Sequence, residues 1–220
     1  MGKLEKLHAA SATDRQASSP TRPNMPAPTL PRSSASSTAN SPSTRADAEV
    51  RDATPGDLPA IHAIYAHHVL RGLASFEEVP PDLDEMRRRH AEVTGRGLPY
   101  LVAARQGDVL GFGYCAPYRA RSAYRYALED SVYIREGSAG QGLGSRILAE
   151  LVARCERLGY RQVIAVIGDS ANAASIALHA RFGFLRVGTL RSTGYKFGRW
   201  VDSVLMQRPL GPGDGTPPAT

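Results

Sequence analysis

The sequence has few cysteines and no long apolar segment. Its 220 residues include two cysteines, Cys115 and Cys155, and contain no run of 18 or more apolar residues. Two cysteines are too few for a disulfide scaffold or a thiolate zinc site, and the absent run argues against a membrane-spanning helix. We therefore expect a cytoplasmic protein with no membrane partner, in which both thiols are small buried apolar side chains.

Positive charge is unevenly distributed along the chain. The sequence has 27 Lys and Arg against 21 Asp and Glu, a net charge of +6. Residues 1–46 hold six bases and two acids, so residues 47–220 keep a net charge of only +2. A basic protein invites a nucleic-acid hypothesis. Because most of the excess lies in the first 46 residues, we expect no nucleic-acid partner.

Large apolar side chains are also scarce near both ends. Residues 11–46 are mostly Ser, Thr, Pro and Ala, with Met25 and Leu30 as their large aliphatic residues. Such a segment buries too little apolar surface to offset its ordering entropy. We expect residues 1–46 to be a disordered leader, with a transit-like segment or a misassigned start at Met25 or later as alternatives. One domain at 47–210 and a short disordered tail at 211–220 complete the prediction.

The folded part is predicted to be α+β. Gln106-Gly107-Asp108 joins two short apolar strands as a hairpin, and Thr54-Pro55 is typical of a helix start. The predicted strands are 49–53, 99–105, 109–116, 127–135, 162–167, 184–190 and 200–207, and the predicted helices begin near 54, 82, 142 and 172. This order predicts a mixed, mostly antiparallel central sheet with flanking helices.

A glycine-rich loop follows the strand at 127–135. It contains Gly137, Gly140, Gly142 and Gly144 and opens directly onto an amphipathic helix. Such a loop turns successive backbone N–H groups toward an anion at the helix N-terminus. It lacks the Lys-Ser/Thr pair of a nucleotide P-loop, and its place after a fourth strand argues against a dinucleotide-binding fold.

Two motifs in this order resemble the GNAT superfamily of acetyl-CoA-dependent N-acetyltransferases. The first is the loop Ala139-Gly-Gln-Gly-Leu-Gly144, which is similar to the superfamily pattern Gln/Arg-x-x-Gly-x-Gly/Ala. The second is Asn172-x-x-Ser175-x-x-Leu178-His179, followed by Gly183-Phe184. Ala139 departs from the pattern by removing one side-chain contact, while the backbone contacts remain available. The resemblance implies the GNAT acyl-CoA N-acyltransferase fold, with acetyl-CoA as co-substrate and no metal.

The chain resembles more narrowly the phosphinothricin/methionine sulfoximine N-acetyltransferase family. This resemblance covers about residues 48–211. The matching segments are Ile64-Tyr-Ala-His-His-Val69, Ala74-Ser-Phe-Glu77, Gly97-Leu-Pro-Tyr-Leu-Val-Ala103, Gly111-Phe-Gly-Tyr114, Pro117-Tyr-Arg-Ala-Arg-Ser-Ala-Tyr124, Glu129-Asp-Ser-Val-Tyr133, Ala165-Val-Ile-Gly168 and Gly194-Tyr-Lys-Phe-Gly-Arg-Trp-Val-Asp202. It implies acetylation of the α-amine of a small glutamate-like amino acid, by a homodimer.

The resemblance implies a set of residues that bind acetyl-CoA. A backbone N–H of the strand segment 132–134 is expected to stabilise the tetrahedral oxyanion. Asn172 is expected to cap its helix and, by the resemblance, to contact the pantetheine arm. The full predicted set is Val132, Tyr133, Ile134, Gly140, Gln141, Gly142, Leu143, Gly144, Ser145 and Asn172.

Acetyl transfer to an amine needs a group that removes a proton from the ammonium form. Glu129 is predicted to be this base, at the position that resembles the catalytic Glu of the family; the alternative is an ion pair with a nearby Arg. Its neighbour Asp130 points to the other face of a regular strand and is left as structural. His179 stands where the resemblance places a proton donor to the leaving thiolate.

An arginine-rich segment is predicted to bind the amino acid. Arg119 and Arg121 are two positions apart and face the same way in an extended chain, which suits a doubly anionic substrate. Tyr124 lies beside them, and Phe76 is expected to form an apolar wall of the pocket. The alternative is a basic surface loop. His67 and His68 are interpreted as structural, because neither has a carboxylate or Cys partner at metal-ligand spacing.

Two other functions remain open at this point. The first alternative is a GNAT enzyme that acetylates another amine, such as methionine sulfone, a polyamine or a protein N-terminus. A non-catalytic acyl-CoA-binding module is the second alternative, which the departure at Ala139 favours. Glu129 and His179 argue against that second alternative, because a binding module needs neither group.

Overall fold

The computed structural model describes residues 47–218, so the predicted leader at 1–46 lies outside the described residues. Seven strands and four helices form this part of the chain. In chain order they are β1 Glu49–Asp52, α1 Leu58–Arg71, α2 Leu83–Gly95, β2 Tyr100–Arg105, β3 Asp108–Pro117, β4 Ala127–Ile134, α3 Leu143–Arg157, β5 Gln162–Gly168, α4 Ala173–Arg181, β6 Leu185–Lys196 and β7 Arg199–Pro209. The predicted α+β class is confirmed.

The strands form one mixed sheet. Its order is β1-β2-β3-β4-β5-β7-β6, and every neighbouring pair is antiparallel except β4 and β5. Short turns join β2 to β3 and β6 to β7, and α1 and α2 lie between β1 and β2. The parallel pair needs a crossover, which α3 supplies. The predicted hairpin at 106–108 is confirmed by the pairing of β2 with β3.

Helices cover both faces of the sheet. On one face, α3 packs so closely on β3 that a Cβ at Gly113 would lie 2.6 Å from a methyl of Ile147. On the other face, Tyr65 of α1 stacks edge-on against Tyr133 of β4, with ring centroids 5.2 Å apart. Both cysteines are buried in the core between these layers, as predicted.

The parallel pair separates partway along its length. β4 and β5 pair from Ala127 and Gln162 as far as Asp130 and Ala165. Beyond that point β4 continues alongside β3 to Ile134, and β5 continues alongside β7 to Gly168. A V-shaped cleft therefore opens in the middle of the sheet, and the glycine-rich loop lies at its open end.

Arg161 contacts the described part of the C-terminal segment. Residues 211–218 form successive turns, and Arg161 donates hydrogen bonds to the carbonyls of Gly213 and Pro217, each at 3.0 Å. The disordered tail predicted for 211–220 stays a prediction, and residues 219–220 of it lie outside the described residues. Among residues 47–218, no helix is both long and apolar enough to cross a membrane.

Candidate active site

The cleft between β4 and β5 brings together residues from four parts of the chain. Its lining comprises Ala74, Asp130, Ser131, Val132, Tyr133, Ala165, Val166, Ile167, Gly168, Asn172, Ser175 and His179. Strand side chains from both faces of the sheet border the cleft, because it passes between two strands. A ligand in the cleft can therefore meet groups from both faces.

Backbone polarity along β4 determines which N–H groups point into the cleft. Tyr118 donates to the carbonyl of Ala127 and Arg135 donates to that of Leu110, so odd-numbered residues of β4 bond to β3. The N–H and C=O groups of Val132 and Ile134 consequently point the other way, toward the gap. His68 Nε2 approaches the Ile134 carbonyl at 2.8 Å.

Tyr133 differs from its two neighbours in the predicted cofactor set. Its backbone is directed at β3, where it pairs with Phe112. Its ring is buried between those of Tyr65 and Phe112, at centroid distances of 5.2 Å from each. Tyr133 thus lines the cleft as part of the core, whereas Val132 and Ile134 are the members of the strand set whose N–H groups are directed toward the gap.

The glycine-rich loop ends in a helix N-terminus. Gly137, Gly140 and Gly142 all have φ between 76° and 77°, in the left-handed region that favours glycine. Gly142 is the N-cap of α3, so the N–H groups of the first turn, which includes Leu143, Gly144 and Ser145, have no partner within the helix. Such an end attracts an anion such as a pyrophosphate.

Side chains around this loop are exposed and partly basic. Ala139 and Gln141 are exposed, and the Gln141 amide oxygen accepts from Arg105 at 3.1 Å. Arg181 of α4 lies 3.4 Å from the Ser145 hydroxyl. A Cβ at Gly144 would contact Leu178 at 3.3 Å, so a glycine there lets α3 and α4 approach each other.

Glu129 is half-buried on the α1 and α2 face of the sheet. It lies opposite Ala116 of β3. Burial raises the pKa of Glu129, the charge of Asp130 raises it further, and the guanidinium of Arg119 acts in the opposite direction. Within residues 47–218 Glu129 forms no salt bridge, so the alternative of an Arg ion pair is not realised there. A carboxylate with a raised pKa and no ionic partner is suited to accept a proton.

Asp130 and His179 form a buried pair on the opposite face. Asp130 Oδ2 lies 3.0 Å from His179 Nε2, and the side chains are 1% and 5% exposed. His179 Nδ1 lies 2.7 Å from the Ser175 carbonyl and 3.4 Å from the Ser175 hydroxyl. Burial alone would lower the pKa of His179, but the hydrogen bond and charge of Asp130 outweigh it, so the pKa is raised.

Asn172 caps α4, as predicted. Its side-chain oxygen accepts a hydrogen bond from the N–H of Ser175 at 3.2 Å. This satisfies one of the donors left free at a helix start. Asn172 also lines the cleft, so the same residue orients α4 and borders the space between the strands.

The arginine segment is folded differently from the prediction. β3 ends at Pro117, and a 3₁₀ turn at Ser122–Tyr124 follows with Arg121 as its N-cap. Residues 118–121 belong to no strand, and the chain bends at Tyr118, Ala120 and Arg121, so the regular extended chain assumed for Arg119 and Arg121 is wrong. Both side chains nevertheless line one surface cavity, together with Glu92, Arg96, Ala116, Pro117, Ala120, Ser122, Arg125 and Tyr160.

Aromatic rings support this segment. The Arg119 guanidinium lies 4.6 Å from the centroid of the Tyr118 ring, and Tyr118 contacts Tyr124 edge-on at 5.8 Å. Tyr124 is 44% exposed, so one side of its ring is free to contact a ligand. Stacking restricts the Arg119 side chain and lowers the entropy that binding would cost.

Phe76 is held against two glycines beside the cleft. A Cβ at Gly194 would lie 2.4 Å from the Phe76 ring, and one at Gly168 would lie 3.1 Å from it. Buried Lys196 donates to the carbonyls of Gly72 at 3.0 Å and Ser75 at 2.6 Å, which fixes the segment that carries Phe76. No pattern in the sequence indicated this role for Lys196.

His67 and His68 make structural contacts. His67 Nδ1 lies 3.5 Å from Glu136, and His68 packs on Tyr133 at a centroid distance of 5.3 Å. In the part of the chain that the structure describes, no group of three or more His, Cys, Asp or Glu side chains is placed to hold a metal ion. The sequence did not reveal the partner of Asp130. Strand alternation correctly placed Asp130 on the opposite face from Glu129, but it did not identify His179 as the side chain that Asp130 contacts.

Comparison with known proteins agrees with this geometry. The sequence model of the acetyltransferase (GNAT) family matches residues 61–184. The chain is 60% identical over 169 residues to the phosphinothricin N-acetyltransferase of Alcaligenes faecalis, covering 77% of this chain and 86% of that protein. It is 39% identical to the L-methionine sulfoximine/L-methionine sulfone acetyltransferase of Pseudomonas paraeruginosa, covering 77% of this chain and 99% of that protein.

A solved structure is similar over the same region. It is a GNAT superfamily phosphinothricin acetyltransferase from Sinorhizobium meliloti in complex with AcCoA. The TM-score is 0.76 at 47% sequence identity, and the match covers 79% of this chain and 94% of that one.

Proposed function

Since the chain belongs to the GNAT acetyltransferase family, we propose that it acetylates the α-amine of a small glutamate-like amino acid, such as phosphinothricin or methionine sulfoximine. It is an N-acetyltransferase that uses acetyl-CoA. The observation that carries the substrate proposal is the cavity that holds both Arg119 and Arg121 next to the strand of Glu129. Two guanidiniums suit a substrate with two anionic groups, such as the carboxylate and phosphinate of phosphinothricin.

The cofactor proposal rests on the cleft and on the helix end at its mouth. We propose that the first turn of α3 and the loop residues Gly140, Gln141, Gly142, Leu143, Gly144 and Ser145 bind the pyrophosphate. Backbone groups of Val132 and Ile134, whose direction is set by the pairing of β4 with β3, are proposed to contact the pantetheine arm, together with Asn172. Tyr133 contributes by keeping the strand in place.

Glu129 is proposed as the base that makes the amine nucleophilic. Its carboxylate takes a proton from the ammonium, directly or through water, and the neutral nitrogen then attacks the acetyl carbonyl. Burial raises the pKa of Glu129, which improves its ability to take that proton near neutral pH. The Val132 N–H is proposed to stabilise the oxyanion that forms on attack.

Collapse of the intermediate breaks the C–S bond and releases a thiolate. His179 is proposed to protonate that sulfur, so that CoA leaves as a thiol. Cys115 and Cys155 are both buried in the core, and this favours direct transfer in a ternary complex over a thioester on the enzyme. Intersecting initial-velocity lines are expected; parallel lines with an acetylated enzyme in the mass spectrum would contradict direct transfer.

An amine panel assayed by CoA release tests the substrate. It includes phosphinothricin, methionine sulfoximine, methionine sulfone, glutamate, spermidine and a short peptide with a free N-terminus. We expect kcat/KM to be highest for the first two compounds. Preference for the polyamine or the peptide would replace the substrate proposal while leaving the acetyltransferase assignment in place.

Assembly as a homodimer is proposed on the resemblance to the family and on one surface. The β6–β7 hairpin exposes Tyr195, Phe197 and Trp200, which are 57%, 57% and 65% exposed. Clustered exposed aromatic side chains are typical of an interface between copies. Light scattering after gel filtration is expected to give twice the mass of the chain, and a monomer at micromolar concentration would contradict this proposal.

A further inference from the structure

The pairing of Asp130 with His179 indicates one more residue that takes part in the proposed reaction. This inference rests on the proposed function, in which His179 protonates the leaving thiolate. His179 lies in the cleft wall with both ring nitrogens facing acceptors. The Ser175 carbonyl can only accept, so Nδ1 carries a proton. Asp130 Oδ2 faces Nε2 at 3.0 Å, and a carboxylate there favours a proton on that nitrogen also.

We infer that Asp130 is a positioning residue, which keeps His179 as an imidazolium and thereby supplies the proton that the leaving thiolate takes. As the C–S bond breaks, the electron pair goes to sulfur, and the Nε2 proton leaves its hydrogen bond with Asp130 for the thiolate, which is a stronger base than a carboxylate. This leaves a thiol and a neutral imidazole that keeps its Nδ1–H bond to Ser175. Water then restores the Nε2 proton, because a lone pair facing the Asp130 carboxylate is unfavourable.

Asp130 has the capacity for one further hydrogen bond. Its Oδ1 is buried and has no hydrogen-bond partner within residues 47–218. Such an acceptor is costly unless a donor arrives. An amide N–H of the pantetheine arm, or the thiol formed by the reaction, is the class of donor that a ligand in this cleft would present.

The groups around His179 support the same conclusion. From β4 it meets Asp130, from its own helix the Ser175 carbonyl, and from the chain after the helix the ring of Phe184 at 5.0 Å. Behind Asp130, the hydrogen bond with Cys155 and burial raise the pKa of Cys115, so this thiol adds no charge.

Two cations lie near the end of α4, and the first, Arg181, is directed at the Ser145 hydroxyl at 3.4 Å. Arg208 of β7 donates to the Phe182 carbonyl at 2.5 Å, and so it is directed at the backbone beyond the helix rather than at the imidazole. The charge that acts on His179 is accordingly that of Asp130, and it raises the pKa of the imidazole.

The first test uses the wild-type full chain without substrate. We would record ¹⁵N spectra of the histidine rings at a pH just above the ordinary histidine pKa of about 6.5. The spectrum of the His179→Gln variant, which lacks the His179 signals, assigns them. Both ring nitrogens of His179 are expected at imidazolium shifts. A neutral ring at that pH would overturn the proposal. Because no amine is present, this result is independent of the proposed substrate.

The second test uses Asp130→Asn with the best amine of the panel. We expect the His179 titration midpoint to fall, kcat to drop at least roughly tenfold, and the high-pH limb of kcat to move to lower pH. The KM for acetyl-CoA should change much less than kcat. Asp84→Asn, the same substitution on the exposed surface of α2, is the matched control, with no expected change.

A double variant separates positioning from simple destabilisation. If Asp130 acts through His179, then adding Asp130→Asn to His179→Gln lowers kcat no further. Multiplicative losses, or an unshifted pH profile in Asp130→Asn, would overturn the proposal. If Asp130→Asn does not fold, the wild-type ring spectra decide the question alone.

Discussion

Glu129 and Asp130 are consecutive residues of β4 whose carboxylates lie on opposite faces of the sheet. Glu129 lies opposite Ala116 on the face covered by α1 and α2, and Asp130 bonds to His179 on the face of α4. The cleft next to them is bordered by residues of both faces. This arrangement lets the proposed removal of a proton from the amine and the proposed delivery of one to the thiolate occur on two sides of one strand.

Replacing Glu129 by Gln is expected to lower kcat at neutral pH by at least about 100-fold, because general base catalysis contributes roughly 10²–10⁴-fold. Activity should recover partly at high pH, where the amine is already neutral. Calorimetry with CoA should show unchanged affinity, since the pyrophosphate loop is untouched. Activity equal to wild type at neutral pH would rule Glu129 out as the base.

Arg119→Met is expected to move the acid limb of the kcat/KM profile to higher pH. The Arg119 guanidinium lowers the pKa of Glu129, so its removal raises that pKa further. Glu129 must be deprotonated to act as the base. Because a carboxyl group with a higher pKa loses its proton only at a higher pH, the rise in kcat/KM moves to higher pH. A pH series with a single amine measures the shift. Arg121→Met is the matched control, and it should leave the limb where it is.

Arg121→Met tests anion recognition separately. We expect KM for phosphinothricin to rise roughly tenfold or more, in line with loss of a charge-assisted contact of about 1.5–3 kcal/mol. For methionine sulfone, which carries one anionic group, the rise should be smaller. Steady-state kinetics with both amines gives the ratio. Arg87→Met on the exposed side of α2 is the control, and equal rises for the two amines would count against the paired-arginine site.

Gly142→Ala is expected to weaken CoA binding and lower stability. Gly142 has a φ of 76° at the N-cap of α3, and an L-residue in that region costs about 1–2 kcal/mol. Thermal unfolding and CoA titration measure the two effects. Gly188→Ala is a fair control, because a Cβ at Gly188 meets nothing within 4 Å and its φ is not in that region. Identical behaviour of the two variants would contradict the role of the loop geometry.

Lys196→Met is expected to loosen the segment that holds Phe76. It leaves the carbonyls of Gly72 and Ser75 without their donor, and each unsatisfied buried group costs about 1–3 kcal/mol. Hydrogen exchange should speed up in residues 72–76, and KM for the amine should rise more than kcat falls. Arg191→Met, an exposed cation of the same hairpin, should change neither. Unaltered exchange in Lys196→Met would show that other contacts hold the segment.

Sequence patterns that involve residues close together in the chain predicted much of this fold correctly. The 106–108 hairpin, the amphipathic α3 and the Asn172 cap depend on residues within a few positions of each other, and all three are confirmed. Short-range reasoning was wrong for the Arg119–Arg121 segment, where the chain bends ahead of a 3₁₀ turn at Ser122–Tyr124. Nothing within that segment reveals the turn, because its position depends on how β3 is joined to β4.

The sequence by itself determined the order of elements, the glycine loop before α3, and the separation of Glu129 from Asp130 by strand alternation. Only the tertiary structure decided that Asp130 meets His179, 49 residues away, and that Lys196 reaches the Ser75 carbonyl across 121 residues. The physical reason is that local conformation follows from backbone sterics and hydrogen bonding within a few residues. Contacts between distant residues follow instead from strand order and from where β4 and β5 part.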